Sequence, residues 1–475
     1  MHKRKSRRKQ IALRSFTYGF MTLAVIVSVL FTLSWVMGFR FDWNNREISQ
    51  ISLLQFGSFP SGASVDINGK AQPFRTPGRQ NVKTGHIDIK ITKDEYHDWF
   101  KSINLRPSEV RWITYPRLIP KEVVTDQVKS FSEVHAMLPS HDQRWLLIQT
   151  TESARTFVLA DISDPKNVRF STLAIAADAL SELTEGQTER FSIVEWNGGS
   201  RYILIKRTID DKTEFIKLDR RNSGVSQNLT REFNMDMADP HFSGNSGNVF
   251  YALTGTDLRK FDLGNKLVSA PLVSDVTAYR AYDNKLVYVG LSGGEPREQV
   301  VGIHNDGENV VVRTYDEEMP TLAEFARYED KEYLAIGRGE TVSIITAPLS
   351  NKDEDKQVTY LSSPGGIDFM MFNRTGRFVV AGLGDKLVSY DQVTGENYSY
   401  AIPGLSGKPE WLDDYYLVDT TGGNIGFIEF DGGNHNHVVS GRGRVTLSSN
   451  NKYLFSINST SDGAVLQRSS MVVDN

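Results

Sequence analysis

The chain has 475 residues, 39% hydrophobic and 11% aromatic, with 38 glycines and no cysteine. This length admits two or three domains with a sizeable core, and the aromatic and glycine content leans toward β structure with many turns. The missing cysteines exclude disulfides, thiolate catalysis and cysteine-held zinc or iron–sulfur centres.

The net charge of −4 is unevenly spread. Residues 1–14 hold seven basic groups (Lys3, Arg4, Lys5, Arg7, Arg8, Lys9 and Arg14) and no acid, which leaves 47 basic against 58 acidic residues, or −11, on the rest. A basic head on a mildly acidic body argues against nucleic acid as the body's partner. From Ser15 to Phe39 no charged residue occurs, and 25 residues make roughly 37 Å of helix, enough for a hydrocarbon core of about 30 Å. Tyr18 and Trp35 sit near its ends, where amphipathic rings favour the interface. The basic flank puts the N-terminus inside and the remainder outside. The run ends in the bulky "SWVMGFRFD", without a small-residue cleavage pattern, so residues 15–39 read as an uncleaved signal anchor behind a cytoplasmic tail of residues 1–14.

Residues 40–55 read as a spacer. In "FPSGASVDINGK", from residue 59, Ala63, Val65 and Ile67 alternate with polar residues, the period of a strand. Asn68-Gly69 suits a type I′ turn because both residues tolerate positive φ. A second Pro-Gly break stands at residues 75–78. "GHIDIKI" then places Ile87, Ile89 and Ile91 on one face, and "WFKSINL" turns Ile103 and Leu105 inward. Residues 56–107 are therefore a small sandwich-like β domain, with a connector at 108–120.

This stretch resembles a PEGA domain. The resemblance rests on Pro60, Ser61, Gly62, Ala63, Asn68, Gly69, Thr76, Pro77, Gly85 and Tyr96. The chain departs from the name-giving motif in having "SGAS" where that motif has Glu before Gly. The resemblance implies a non-catalytic extracellular β module of a prokaryotic surface protein, here a stalk between the membrane and the C-terminal region.

From residue 121 to 475 a turn rich in Asp, Asn or Gly recurs ahead of an apolar, aromatic-tinted strand. Copies begin at residues 140, 196, 243, 281, 328, 373, 411 and 448, separated by 56, 47, 38, 47, 45, 38 and 37 residues. A second strand with a polar end follows most copies. Units of about 35–50 residues with four short strands are the pattern of a β-propeller. Eight copies favour eight blades over seven. The turn motif resembles TolB-type propeller repeats, most clearly at Ser140–Ile148. The last unit holds three strands, and "KEVVTDQV" (121–128) is expected to supply its outer strand. The long first interval fits an insertion, 172–186, with Ile175, Ala179 and Leu183 at helical spacing.

Chemical motifs are few. Gly290-Leu291-Ser292-Gly293-Gly294 matches G-x-S-x-G, but a nucleophile elbow needs a helix after it, and a strand pattern follows here. His435-Asn436-His437 puts two imidazoles on one side of an extended segment, with Asp431 near, and reads as a hairpin loop in preference to half a metal site. The acidic runs Asp353-Glu354-Asp355, Asp316-Glu317-Glu318 and Asp413-Asp414 lack a calcium-loop pattern and read as solvated loops. No phosphate-cradling or dinucleotide fingerprint occurs.

The expectation is an all-β protein with a transmembrane helix, a PEGA-like sandwich and a propeller. It would be a single-pass plasma-membrane protein whose C-terminal domains are extracytoplasmic. Its function would be non-catalytic binding or scaffolding, with envelope proteins or cell-wall glycans as partners and no nucleic acid, cofactor, metal or catalytic residue. The alternatives are a propeller-type hydrolase or lyase with its site at the channel mouth, and a self-assembling structural envelope component. No binding residue is nominated.

Overall fold

The computed structural model describes residues 7–36, 39–42, 47–405 and 407–473; residues 1–6 of the basic tail lie outside them. The chain divides into two compact units, Met1–Lys121 and Glu122–Asn475.

The first unit opens with helix α1, Arg7–Val36. Its apolar part, Ile11–Val36, is unburied along its length and at 26 residues spans roughly 39 Å. The hydroxyls of Thr17, Thr22 and Thr32 donate to the carbonyls of Leu13, Tyr18 and Ser28 at 2.8–2.9 Å, so these polar groups are satisfied within the helix. The helix stops three residues short of the expected Phe39, where a strand begins.

Eight strands follow: β1 (Phe39–Asp42), β2 (Glu47–Phe56), β3 (Ser64–Ile67), β4 (Lys70–Arg75), β5 (Gly78–Lys83), β6 (Gly85–Thr92), β7 (Trp99–Leu105) and β8 (Val110–Ile113). They form two four-stranded sheets, β1-β2-β5 with β8 also on β2, and β4-β3-β6-β7. Val65, Ile67, Ile87, Ile89, Ile91, Ile103 and Leu105 are buried, as their alternation demands. Asn68 and Gly69 both have positive φ (51° and 75°), and Asn68 Oδ1 accepts the Asp88 amide at 2.8 Å, so this turn also grips β6. The Thr76-Pro77 pair holds the Pro-Ser-Gly-Ala turn. Thr76 Oγ1 accepts from the Ala63 amide at 3.0 Å and lies 2.6 Å from Ser58 Oγ, while the Thr76 carbonyl accepts from Gly62 at 2.7 Å.

Two boundaries differ from the sequence reading. The expected spacer contains β2, which pairs with β1, β5 and β8 and buries Ser52, Leu54 and Phe56. The expected connector contains β8. A serine at an inward position and an adjacent Leu53-Leu54 pair mask the period of two in β2.

The second unit is a β-propeller of eight four-stranded antiparallel sheets among the described residues. In chain order they span residues 136–174, 189–228, 238–268, 276–315, 321–362, 369–401, 410–440 and 442–470, here sheets 1 to 8. Each of the eight sequence copies is the turn into a sheet's second strand. In four of them the first turn residue explains the repeat. Ser140 Oγ, Asn197 Oδ1, Asn373 Oδ1 and Ser448 Oγ accept the amides of Trp145, Tyr202, Phe378 and Tyr453 at 2.8–3.0 Å. In sheet 7 Asp413 does the same for Tyr416 at 2.9 Å. These short polar side chains close the turn before the strand begins.

Hydrophobic clusters lie between successive sheets, as between sheets 2 and 3, where Leu204 and Phe215 meet Phe250, Ala252 and Phe261. One cluster joins the ends of the ring: Met137, Leu146, Ile148 and Ala160 of sheet 1 pack on Phe455, Ile457, Ala464 and Leu466 of sheet 8. The fourth strand of sheet 8 comes from the start of the unit. Thr125–Phe131 pairs antiparallel with Gly463–Ser470, slightly later in the chain than the expected 121–128. Arg468 of sheet 8 is also bound to Asp126 of that strand.

The insertion at 172–186 is not a helix. It contains the end of a strand and one 3-10 turn, Ala177–Ala179. Ile175 and Leu180 are buried in the cluster between sheets 1 and 2, so the apolar spacing reflects a loop folded over a sheet end. A short helix α2, Leu229–Phe233, follows sheet 2, with Asn228 capping the Arg231 amide at 3.0 Å.

Phe455→Ala, at the seam between sheets 8 and 1, should lower unfolding free energy by about 3–5 kcal/mol, seen as a fall in the urea midpoint. Val225→Ala, at an exposed site, should change it by less than about 0.5 kcal/mol.

Candidate functional site

The G-x-S-x-G segment is a hairpin loop. Ser292 Oγ accepts the Glu298 amide at 3.0 Å, and the strand Gln299–Asn305 follows directly. The His-Asn-His segment leads into the outer strand of sheet 7. His435 Nε2 lies 2.9 Å from Asp419 Oδ2. Asp419, Gly426 and His437 are in register across three strands, and the absent side chain at Gly426 opens a pocket of about 240 Å³ beside both imidazoles. Asp431 is not part of it; its carboxylate accepts the Gly433 amide at 3.1 Å.

The acidic runs serve loops. Asp413 caps a turn, Asp355 accepts from Ser350 at 2.8 Å, and the backbone of Glu317 is bound by Arg338. The Asp353 side chain lies outside the described residues. Among the described residues no group of three or more His, Asp or Glu side chains is placed to hold a metal ion.

A different set of polar residues comes together on the first strands of the sheets. These strands contact one another across neighbouring sheets, so they line the axis of the ring. Glu195 of sheet 2, Asp239 and His241 of sheet 3, Arg280 of sheet 4 and Glu324 of sheet 5 form a chain of ions. His241 Nδ1 is 2.9 Å from Glu195 Oε2, and its Nε2 is 3.3 Å from Asp239 Oδ1. Arg280 lies 3.6 Å from Asp239 Oδ2 and 3.4 Å from Glu324 Oε1. Tyr279 closes the group from below, donating to the carbonyls of Asp239 and Tyr251 at 2.5 and 2.8 Å.

Electrostatics follow from these distances. Burial disfavours a charged His241, but the hydrogen bonds and negative charges of Asp239 and Glu195 outweigh it and push its pKa up to about 9. His241 and Arg280 in turn hold the Asp239 carboxyl below its ordinary range. Glu324 is pushed up by burial, against the opposing charges of Arg280, Lys408 and His241. At neutral pH the channel thus carries a protonated imidazole between two carboxylates.

A second polar group, in sheet 2, is closed off. Arg207 is fully buried, with Nε and Nη2 at 2.7 and 2.6 Å from Glu189 Oε2 and Nη1 at 2.8 Å from Glu214 Oε2. Ser181 of the insertion donates to Glu214, and the Ser181 carbonyl accepts from Arg207 at 3.0 Å. This network fixes the insertion over the sheet. Beside it lies an open pocket of about 1050 Å³, lined by Ser181, Gln187, Lys212, Glu214, Asn234 and Asp236 among others. Glu182, Asp211, Lys212 and Asp236 around it are exposed, polar and outside any ion pair among the described residues.

No sequence motif announced the channel residues, because the five are spread over four sheets, with only Asp239 and His241 on one strand. The available signal is positional. Glu195, His241 and Arg280 stand one or two residues before the recurring turns that begin at Trp196, Ser243 and Ala281.

Residues 52–118 match the PEGA domain family. No curated protein matches the chain. Among solved structures, an oligogalacturonate lyase in complex with manganese aligns at 12% identity over 72% of this chain and 99% of that one, with a TM-score of 0.40. Apo AztD from Citrobacter koseri aligns at 12% identity over 82% and 97%, TM-score 0.40. Dihydro-heme d1 dehydrogenase NirN in complex with DHE aligns at 11% identity over 75% and 73%, TM-score 0.43. No functional residue is carried over from any of them.

Because the folded pKa of His241 lies above its ordinary 6.5, its charge stabilises the fold fully below about pH 6.5, and that contribution is lost as pH rises through about 9. The thermal midpoint of the native protein should exceed that of His241→Gln at pH 6.5, with the gap closing by pH 10. A gap independent of pH would show that the imidazole is neutral in the channel.

Proposed function

We propose that this chain is a membrane-anchored envelope protein, N-terminus inside, whose extracytoplasmic propeller binds a polar ligand, either a wall glycan or another envelope protein. One observation carries the reading. A predominantly apolar helix of 26 residues, unburied throughout, with seven basic residues within positions 1–14 and the next one, Arg40, beyond its C-terminal end, leads within two residues into the domain that contains the PEGA match. Such a helix acts as an anchor unless it packs on a core or is cleaved as a signal sequence; nothing buries it among the described residues, and no small-residue cleavage pattern follows it.

Binding is favoured over catalysis by how the polar groups are arranged. The channel acids and bases already partner one another, and the large pocket by sheet 2 offers unpaired carboxylates, an ammonium and side-chain amides around an open volume, a setting for recognition. The pKa of His241 leaves it a fixed cation at neutral pH, a poor general base there.

The missing cysteines make topology directly measurable. Ser459→Cys should react with a membrane-impermeant maleimide in intact cells, and Ser6→Cys should react only after permeabilisation. The reverse pattern would overturn the orientation. Titration of the full chain in nanodiscs with wall-glycan fragments and envelope proteins should show saturable binding, weakened at least about tenfold by Asp236→Ala with Lys212→Ala. Release of shortened saccharides or unsaturated ends in the same samples would replace the binding reading with a hydrolase or lyase.

A further inference from the structure

The outer face of the β1-β2-β5 sheet has an unusual composition. Register fixes which residues share it. Leu53 stands between Asn81 of β5 and Val110 of β8, Gln55 stands between Arg79 and Trp112, and Ile51 stands beside Lys83. The opposite face of β2 is the buried one, with Ser52, Leu54 and Phe56 in the core. The outer face therefore presents Ile51, Leu53, Val110 and Trp112 as an apolar band with Arg79 and Lys83 along one side. Trp112 is 56% exposed and Val110 48%. These three rows contain no carboxylate, and the acids of this face, Glu47 of β2 and Asp42 in register with it on β1, stand at the other end of the strand.

An exposed tryptophan and valine side by side, flanked by cations, call for an occupant. Chain connectivity names it. Only residues 37 and 38 separate the end of α1 from β1, and β1 pairs directly with β2. Two residues reach at most about 7 Å, so this sheet cannot leave the surface that α1 emerges from. The turn into β8 sits there too: Ser108 Oγ donates to the Val36 carbonyl at 3.2 Å, and the Ser108 amide donates to Ile51 O at 3.2 Å. Val110 is two residues beyond Ser108, hence within about 7 Å of that residue.

We infer that this face rests on the outer surface of an anionic bilayer, with Trp112 and Val110 at the headgroup level and Arg79 against lipid phosphates. Indole rings favour that depth, and a cation is attracted to an anionic surface. The helix tethers the sheet and the face then fixes its tilt, so the PEGA module is a foot on the membrane and not a free spacer. This inference rests on α1 spanning the membrane.

Single-cysteine spin labels on the otherwise cysteine-free full chain test it, in nanodiscs containing phosphatidylglycerol. A label at Val110→Cys should be relaxed more by oxygen than by aqueous nickel chelate, and Arg79→Gln should shift it toward water. A label at Asn104→Cys, on the other sheet, should stay aqueous. A label at Val25→Cys reports the anchor separately and should be lipid-exposed. If Val25 reads lipid but Val110 reads as aqueous as Asn104, the foot is refuted and the anchor stands. If Val110 is shielded from both relaxants and shows dipolar broadening from a second label, the face is an interface between copies of this chain and the lipid proposal fails. An aqueous Val25 label would sink the anchor and the foot together.

Discussion

The contact between neighbouring sheets is the constraint on which the propeller depends. Each four-stranded sheet has two apolar faces and is too small to bury either by itself. Val287, Val289 and Val301 of sheet 4 are covered only because Phe325, Leu334 and Ile336 of sheet 5 stand against them. Such a stack leaves two bare faces unless it closes. Closure here is both apolar and hydrogen-bonded: Phe455 and Leu466 meet Leu146 and Ile148, and the start of the unit supplies the missing strand of sheet 8. A strand from one end of the unit completing a sheet at the other ties the two ends by backbone hydrogen bonds. It also covers the edge of the Gly463–Ser470 strand, so that sheet 8 ends on an outer strand as the other sheets do.

Much of this was readable because the repeated element is local chemistry. A Ser or Asn that accepts an amide five residues on needs no tertiary partner, so Ser140, Asn197, Asn373 and Ser448 leave the same mark in four of the units. The PEGA-like turns were legible for the same reason, since Asn68-Gly69 and Thr76 act within a few residues or on a strand already marked by three isoleucines. Where burial is decided by distant partners, the pattern failed. Ile175 and Leu180 are buried by Phe191 and Ile203 of a sheet that comes later in the chain, and their spacing imitated a helix. Ser52 occupies an inward position because its hydroxyl finds the Arg106 carbonyl, and a polar residue in the core face hid β2.

The channel ions lie beyond sequence reading for a geometric reason. Glu195 and His241 are 46 residues apart, and Arg280 and Glu324 are 44 apart, about one repeat in each case. A ring brings equivalent positions of successive repeats together at its axis, so functional neighbours in a propeller are separated by the repeat length and never by a motif spacing. The search that finds them aligns the first strands by the turns after them and looks for charge in the aligned column.

Two buried ionic groups in this protein differ in a way that bears on function. Arg207 is wholly enclosed, its partners come from its own sheet and the insertion above it, and removing any of them would leave an uncompensated charge. That network is structural. The channel chain crosses four sheets, and its Arg280 side chain stays 49% exposed, so water already competes for it. Its ion pairs are longer, at 3.3–3.6 Å outside the His241–Glu195 contact. A partly solvated cation held loosely by two carboxylates can exchange one of them for an incoming acid or hydroxyl at little cost, whereas Arg207 cannot. Arg207 is thus locked within one sheet, whereas Arg280 bridges sheets 3 and 5 from the axis, where residues of several sheets meet.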